Sequence, residues 1–157
     1  MSRRRRSTKR ETAVDAKYGS PLVTRFINTV MYGGKKNTAE RIVYGALEKI
    51  AHDNPQVDPM EALQRAVDNA KPRIETKARR VGGATYQVPM EVTPDRQASL
   101  AVRWLVTFAD ARKGVPMKAA LASEIMDAYQ GQGSAIRKRD DVHKMAQANK
   151  AFAHFRW

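Results

Sequence analysis

The chain has 157 residues, of which 29 are Lys or Arg and 16 are Asp or Glu, so its formal net charge is +13 and its pI is about 10.3. It contains no Cys, which excludes disulfides, thiolate metal sites and Cys nucleophiles and suits a reducing compartment. No stretch approaches the roughly 18 apolar residues of a membrane helix, and no apolar segment follows the basic N-terminus, so we expect neither a membrane span nor a secretory signal. The length favours one domain over residues 1–157.

The excess charge is concentrated in three short segments. Residues 1–10 hold six basic and no acidic side chains, residues 71–83 hold five basic and one acidic, and residues 131–157 hold six basic and two acidic. The rest of the chain carries a net charge of −1. Clustered like charges repel one another and raise the free energy of the folded chain unless an external polyanion neutralises them. The distribution therefore indicates a polyanionic partner.

The first half of the chain predicts a basic arm followed by three helices. Residues 1–17 have no apolar periodicity, so we expect an arm that is disordered until it binds. Apolar residues then recur at helical spacing in three segments, each with a start signal of the capping type. These segments run from Ser20-Pro21 to Gly33-Gly34, from Asn37 (with Glu40 in the capping-box position) to the turn at residues 52–55, and from Asp58-Pro59 to Pro72.

Between residues 73 and 92 the period changes from helical to alternating. Two alternating runs flank Gly82-Gly83, which is typical of a β-hairpin. Pro89 in the second run argues against a central strand and favours an edge or a free ribbon. One possible role for basic residues on such an edge is protection against aggregation, with no binding function. However, five basic residues in thirteen exceed what that protection requires. Tyr86 could stack on a base or pack within the ribbon, and the sequence leaves both open.

Helical spacing returns at Thr93-Pro94. A broad apolar face before Gly114 predicts a central fourth helix, and a fifth helix begins at Pro116. A glycine-rich turn separates it from a basic sixth helix at about 134–150, and residues 150–157 form an aromatic C-terminal tail. The predicted fold is therefore mainly α: a six-helix bundle with one protruding two-stranded antiparallel β-ribbon and a disordered basic N-terminal arm.

The usual catalytic constellations are missing from the sequence. The three His residues are far apart and lack the HExxH spacing of a zinc site, and no carboxylate pair stands out. The segment Gly33-Gly34-Lys35-Lys36 is not a phosphate loop, because Asn37 stands where Ser or Thr would hold Mg²⁺ and a helix precedes it instead of a strand. We expect a protein without enzymatic activity, cofactor or metal.

Basic side chains in several segments are suited to contact phosphates. Arg supplies a bidentate fork for phosphate, and Lys supplies a point charge. Lys35 and Lys36 lie beside a helix N-terminus, whose dipole also favours anions. Arg96 and Arg103, seven residues apart, share a face of the fourth helix. The full set of candidate contact residues is Arg3, Arg4, Arg5, Arg6, Lys9, Arg10, Lys35, Lys36, Lys71, Arg73, Lys77, Arg79, Arg80, Arg96, Arg103, Arg137, Lys138 and Lys144.

Four segments of the chain resemble one known family. They are GKKNTAERIVYGAL, RRVGGATYQVPMEV, RWLV and KRDDVHKMAQANKAFAHFRW, in this order. They closely resemble the bacterial-type family of protein seven of the small ribosomal subunit. The resemblance extends from about Tyr18 to the C-terminus, whereas the basic arm agrees in character more than in exact residues.

The resemblance implies a helical bundle with an extended β-ribbon that binds ribosomal RNA in the head of the small subunit. It implies an early assembly protein that nucleates the 3′ major domain, with small-subunit proteins nine and eleven as neighbours and with exit-site tRNA and mRNA nearby. It also implies a cytoplasmic protein of the ribosome, with no membrane contact and no homo-oligomer.

The same resemblance implies RNA contact by four parts of the chain. These are the arm from Arg3 to Arg10, the Lys35-Lys36 loop, the ribbon from Lys71 to Arg80, and the fourth-helix residues Arg96 and Arg103. Asp95 and Gln97 make the surroundings of Arg96 less basic than the family pattern.

Without the resemblance, the residues leave a second function open, that of an architectural chromosomal DNA-binding protein. Such proteins also combine helices with a basic β-ribbon arm and carry out no catalysis. They normally dimerise and insert an apolar wedge from the tip of the arm, and Val81 beside two glycines is a poor wedge. A protein of anionic membrane surfaces is a third possibility, but no helix combines a strong apolar face with an all-basic one.

Overall fold

The computed structural model describes residues 12–155. Over this part of the chain the protein forms six α-helices, one antiparallel two-stranded sheet and a short C-terminal 3₁₀ helix. The predicted fold class, a mainly helical bundle with one β-ribbon, is therefore confirmed. The elements in chain order are α1 (Pro21–Val30), α2 (Lys36–Asp53), α3 (Pro59–Ala70), β1 (Ile74–Val81), β2 (Ala84–Glu91), α4 (Pro94–Asp110), α5 (Met117–Tyr129), α6 (Ser134–Ala148) and the 3₁₀ helix (Lys150–Phe155).

Two of the predicted helix starts are confirmed by their capping bonds. The Ser20 side chain accepts a hydrogen bond from the backbone N–H of Leu22 at 3.3 Å, and the Asp58 carboxylate accepts one from the N–H of Glu61 at 3.2 Å. Each cap precedes a proline in the first turn, where the missing N–H costs no hydrogen bond.

The predicted cap at Asn37 is wrong. Helix α2 begins one residue earlier, at Lys36, and Lys35 occupies the N-cap position without a side-chain capping bond. The reason is the preceding turn: the N–H of Lys36 donates to the Gly34 carbonyl at 2.9 Å, and the Lys35 carbonyl already accepts from Ala39. Helix α1 likewise ends at Val30, before the glycine pair, because Met31 is extended with ψ of 128°.

The hydrophobic core lies between α4, α5 and the helices around them. Helix α5 packs against α2, α3, α4 and α6, and α4 packs against α1, α3, α5 and α6, as the sequence predicted for the fourth helix. Alanines on the buried sides of these helices allow close approach, and large side chains such as Phe26, Leu47, Leu105 and Leu121 are at most 1% exposed. Each buried side chain of this size stabilises the fold by about 1.5–3 kcal/mol, so the bundle is a firm base for the ribbon.

The ribbon is a regular antiparallel pair closed by a two-residue turn. Its register runs from Ile74 opposite Glu91 to Val81 opposite Ala84. Gly82 and Gly83 both have positive φ, at 56° and 89°, as a two-residue hairpin turn of this kind requires. The predicted ribbon and its turn are therefore confirmed.

The base of the ribbon is held by uncharged groups of α6. The backbone N–H of Arg73 donates to Nε2 of His143 at 3.0 Å, and the Thr76 hydroxyl donates to the Met145 sulfur at 3.3 Å. His143 therefore has a structural role at the base of the ribbon. Because the His143 ring accepts this bond, its Nε2 is unprotonated when the bond is formed.

The 3₁₀ helix covers part of the ribbon. The Tyr86 ring lies 5.1 Å from the ring centroids of both Phe152 and Phe155, a distance at which aromatic pairs attract each other. Of the two roles that the sequence left open for Tyr86, the structure shows packing. The 3₁₀ helix thus packs against the ribbon on the side of β2.

A buried carboxylate connects the second half of the bundle. The side chain of Glu124 in α5 is fully buried; its Oε2 accepts from Arg112, and its Oε1 accepts from the backbone N–H of Ala135 at 3.0 Å. Arg112 also pairs with Asp127 at 2.6 Å, and Asp127 and then Glu124 raise the pKa of its guanidinium. Glu124 therefore caps α6 from another helix, a role that the sequence analysis missed.

Gly133 leaves room for this cap. Its φ is 92°, and a Cβ at this position would lie 2.9 Å from Cβ of Asp127 and 3.3 Å from Oε1 of Glu124. A side chain there would have to displace Asp127 and would crowd the capping carboxylate of Glu124, and a positive φ disfavours any residue but glycine.

We predict that Glu124→Ala destabilises the protein by about 2 kcal/mol or more. The change removes the cap of α6 and takes one of two acidic partners within residues 12–155 from Arg112, and breaking a buried ion pair is costly. Urea unfolding followed by circular dichroism measures the loss. The exposed Glu61→Ala serves as the control, with an expected change within about 0.5 kcal/mol. Equal midpoints for the two variants would contradict the structural role of Glu124.

We also predict that the ribbon base weakens at acid pH. Burial lowers the pKa of His143, the positive charges of Arg139 and Arg73 lower it further, and Asp140 opposes them. Because the folded protein favours neutral His143, the stability from its bond to Arg73 is complete above the ordinary pKa of about 6.5. It is lost as the pH falls through the lower pKa of the folded state.

NMR titration of the His143 ring and of the Arg73 amide measures this coupling. Both signals should follow one transition below pH 6.5 or so, and in His143→Gln the Arg73 amide should no longer show it. A His143 pKa at or above the ordinary value would contradict the prediction.

Candidate nucleic-acid interface

The ribbon presents cations on both of its faces. Side chains alternate along a strand, so Lys77 and Arg79 of β1 lie on one face and Arg80 on the other. Lys77 and Arg80 are exposed, and Arg79 is half-buried. Lys77 and Arg80 have no acidic partner among residues 12–155, so their charges remain available to an external anion. The predicted ribbon residues are therefore brought together on one narrow, positively charged element.

At the base of the ribbon, two of the predicted residues differ in their environment. Lys71 pairs with Asp68 at 2.6 Å, and its side chain is only 30% exposed. Arg73 is exposed, and its side chain has no acidic partner in the described part of the chain. Arg73 is thus better placed than Lys71 to contact a phosphate.

Arg96 and Arg103 have the same residue type but different partners. Arg96 makes a bidentate pair with Glu75 of β1, with Nε–Oε1 and Nη2–Oε2 distances of 2.7 and 2.9 Å, and this bond raises the pKa of its guanidinium. Arg103 is exposed and has no such partner within residues 12–155. The pairing ties the ribbon to α4 and neutralises much of the Arg96 charge.

Arg103 lies beside a basic residue that the sequence analysis missed. Arg25 of α1 and Arg103 of α4 line one surface depression of about 450 Å³, together with Thr29, Ser99 and Val102. Among residues 12–155, no acidic side chain lines this depression. Arg25 gave no signal in the sequence, because only the packing of α1 against α4 brings it to Arg103.

The remaining predicted cations of the bundle are exposed. Lys35 and Lys36 lie between α1 and α2; Lys36 is 3.5 Å from Glu40, yet its side chain is 61% exposed. On α6, Arg137, Lys138 and Lys144 are also exposed.

One basic residue of α6 has an internal role. Arg139, which was not among the candidates, donates to the backbone carbonyl of Asn69 and pairs with Asp140 at 2.6 Å. Asn69 in turn donates to the carbonyls at the end of α5. The Arg139 guanidinium therefore joins α6 to α3 and is less available to bind a phosphate than the exposed cations of α6.

The arm residues Arg3, Arg4, Arg5, Arg6, Lys9 and Arg10 lie outside the described residues, but the point where the arm joins the bundle is defined. The Asp15 carboxylate accepts from the N–H groups of Lys17 and Tyr18, at 3.0 and 2.8 Å, and from the hydroxyl of Tyr44 in α2. The bond to Asp15 raises the pKa of Tyr44 to about 12. Residues 15–18 are thus held against α2, although residues 15–17 belong to the segment that the sequence predicted to be disordered.

Within residues 12–155, no group of three or more His, Asp or Glu side chains is placed to hold a metal ion. The helices of the same region are all too short or too polar to cross a membrane. What this part of the molecule offers is a set of exposed guanidinium and ammonium groups on a rigid base, an arrangement suited to binding phosphates.

Comparison with known proteins identifies the family. The family described as ribosomal protein S7p/S5e matches residues 2–150. The chain is similar to small ribosomal subunit protein uS7 of Akkermansia muciniphila, with 57% identity over all 157 residues of both chains. The proteins of the same name from Micrococcus luteus and Mycobacterium sp. (strain KMS) are 56% and 55% identical, again over the full length of each chain. The chain therefore belongs to the ribosomal protein S7p/S5e family, a non-enzymatic family of structural proteins of the small ribosomal subunit.

Proposed function

We propose that this protein binds ribosomal RNA directly and nucleates the assembly of the head of the small subunit, its 3′ major domain. The observation that carries the proposal is the presence of exposed cations without acidic partners, among residues 12–155, on elements that are firmly anchored to one bundle. Lys77, Arg80 and Arg103 are the best examples. Family membership supports ribosomal RNA as the polyanion that these side chains would meet.

The mechanism that we propose is binding and shaping, with no chemical step. Each cation that contacts a phosphate releases counterions from the RNA, and this release supplies much of the affinity. Phosphate contacts carry no sequence information, so selectivity comes from the fixed spacing between the cations. A junction of RNA helices whose phosphates match that spacing is bound in preference to a uniform duplex.

The proposed contact set contains all the basic residues that the sequence selected, in the arm, the α1–α2 loop, the ribbon, α4 and α6. Lys71 and Arg96 are expected to contribute least, because Asp68 and Glu75 already neutralise them. Arg25 joins the set because it shares a depression with Arg103.

Family membership supports the position in the ribosome that we propose. We infer a cytoplasmic protein of the small subunit that acts without homo-oligomerisation, with small-subunit proteins nine and eleven as neighbours and with exit-site tRNA and mRNA near the ribbon. The alternative of an architectural DNA-binding protein has little support, because the ribbon tip consists of Val81, Gly82 and Gly83 and has no large apolar wedge.

A binding titration tests the function itself. We expect the purified protein to bind the 3′ domain of small-subunit ribosomal RNA in the presence of excess random duplex DNA, and to do so near physiological salt. Selective binding of this kind requires spacing-dependent contacts and not charge alone. Equal binding to both nucleic acids, lost together as salt rises, would contradict the proposal and favour the DNA-binding alternative.

We predict that Lys77→Ala combined with Arg80→Ala weakens RNA binding and flattens its salt dependence. Each lost phosphate contact should lower the slope of log K against log salt by about 0.7–0.9, so the double variant should lose roughly 1.4–1.8. Titrations at several salt concentrations measure the slope.

The matched control is Lys113→Ala combined with Lys118→Ala. Both lysines are exposed and lie outside the proposed contact set. Replacing them lowers the net charge of the protein by as much as the ribbon double variant does. Equal slopes in the two double variants would remove the ribbon from the proposed interface.

A further inference from the structure

Tyr32 is the most exposed large apolar side chain in residues 12–155. It is 91% exposed, whereas Val14, the next in this group, is 64% exposed. Tyr32 lies in the loop between α1 and α2 and adds nothing to the core. An aromatic ring that remains in water is a large contact surface that loses little conformational freedom when a partner covers it.

Hydrogen bonds hold the backbone on both sides of Tyr32. Before it, the N–H of Met31 donates to the Ile27 carbonyl at 2.9 Å; after it, the N–H of Lys35 donates to the carbonyl of Tyr32 itself at 3.2 Å. Gly33 and Gly34 have φ of 59° and 75°, and a Cβ on either would meet nothing within 4 Å. The glycines are therefore needed for the conformation of the turn and not for lack of space.

The loop also carries positive charge next to the ring. Lys35 and Lys36 follow Tyr32 by three and four residues, both are exposed, and the first turn of α2 has no acidic residue. A ring and two ammonium groups on one tight turn match the two parts of a nucleotide, which has a flat base and a charged phosphate. An apolar protein surface would match only the ring and would remove the lysines from water at a cost.

We propose that Tyr32 stacks on an unpaired base of the ribosomal RNA, while Lys35 and Lys36 contact the phosphates on either side of it. This inference rests on the proposed function and adds a kind of contact that the basic residues do not provide. Stacking tolerates any base but requires one that is not covered by its neighbours in a helix. Tyr32 therefore directs the α1–α2 loop to a bulge, loop or strand end in the RNA.

Three substitutions test the stacking. Tyr32→Ala should weaken binding to the 3′ domain RNA by about 5- to 150-fold, the range found for the loss of one stacked base. Tyr32→Phe keeps the ring and should bind as the unchanged protein does, whereas Tyr32→Leu is apolar without a π-face and should resemble Tyr32→Ala. None of these changes removes a charge, so the salt slope should stay the same, while Lys35→Ala combined with Lys36→Ala should flatten it.

The outcomes separate this inference from the proposed function. If the unchanged protein fails to select the 3′ domain RNA over duplex DNA, both are overturned. If it selects the RNA but Tyr32→Ala binds equally well, the stacking alone is overturned. Equal affinity of Tyr32→Leu and Tyr32→Phe would indicate an apolar contact, and would also overturn it. Thermal unfolding should be the same for all the Tyr32 variants, because the side chain is outside the core.

Discussion

The buried carboxylate of Glu124 is the interaction on which the position of the basic elements depends. It caps α6 through Ala135 and is held in place by Arg112. Helix α6 in turn holds the ribbon, through His143 and Met145, and continues into the 3₁₀ helix that packs against Tyr86. The buried carboxylate of Glu124 therefore fixes α6, and α6 in turn anchors the ribbon on the surface.

The anchors of the ribbon explain how so much positive charge is kept on the surface. A neutral imidazole, a thioether and two phenylalanine rings hold the ribbon to α6 and to the 3₁₀ helix, and none of them neutralises a cation. At the base of the ribbon, Lys71 is paired with Asp68 and Arg96 with Glu75. Toward the tip, Lys77 and Arg80 have no acidic partner among the described residues, and their mutual repulsion is a cost that a polyanion would relieve.

Local signals in the sequence were enough for most of the fold, but the candidate site needed tertiary structure. Ser20, Asp58 and Gly82-Gly83 act within a few residues, so helix starts and the hairpin turn could be predicted. Glu124 could not be distinguished from a solvated glutamate, because its partners come from the loop before α5 and from α6. The same limit applies to the pair Arg25 and Arg103 and to the pair Arg96 and Glu75, because the two residues of each pair lie on different secondary-structure elements. Within the bundle, the pattern of charges selected candidate segments for binding, but it could not show which of their cations are already paired.

The anchoring of these elements bears on selectivity as much as on affinity. A flexible cationic segment gains counterion-release energy on any nucleic acid, and it loses conformational entropy whenever it is ordered. The ribbon and the α1–α2 loop are already held by hydrogen bonds and ring contacts, so they lose less entropy on an RNA whose phosphates match their spacing. On a duplex with another spacing they cannot adapt without breaking those anchors. In the proposed function, rigidity would convert a nonspecific charge into a preference for one shape of RNA, and Tyr32, in the α1–α2 loop, would add the requirement for an unpaired base.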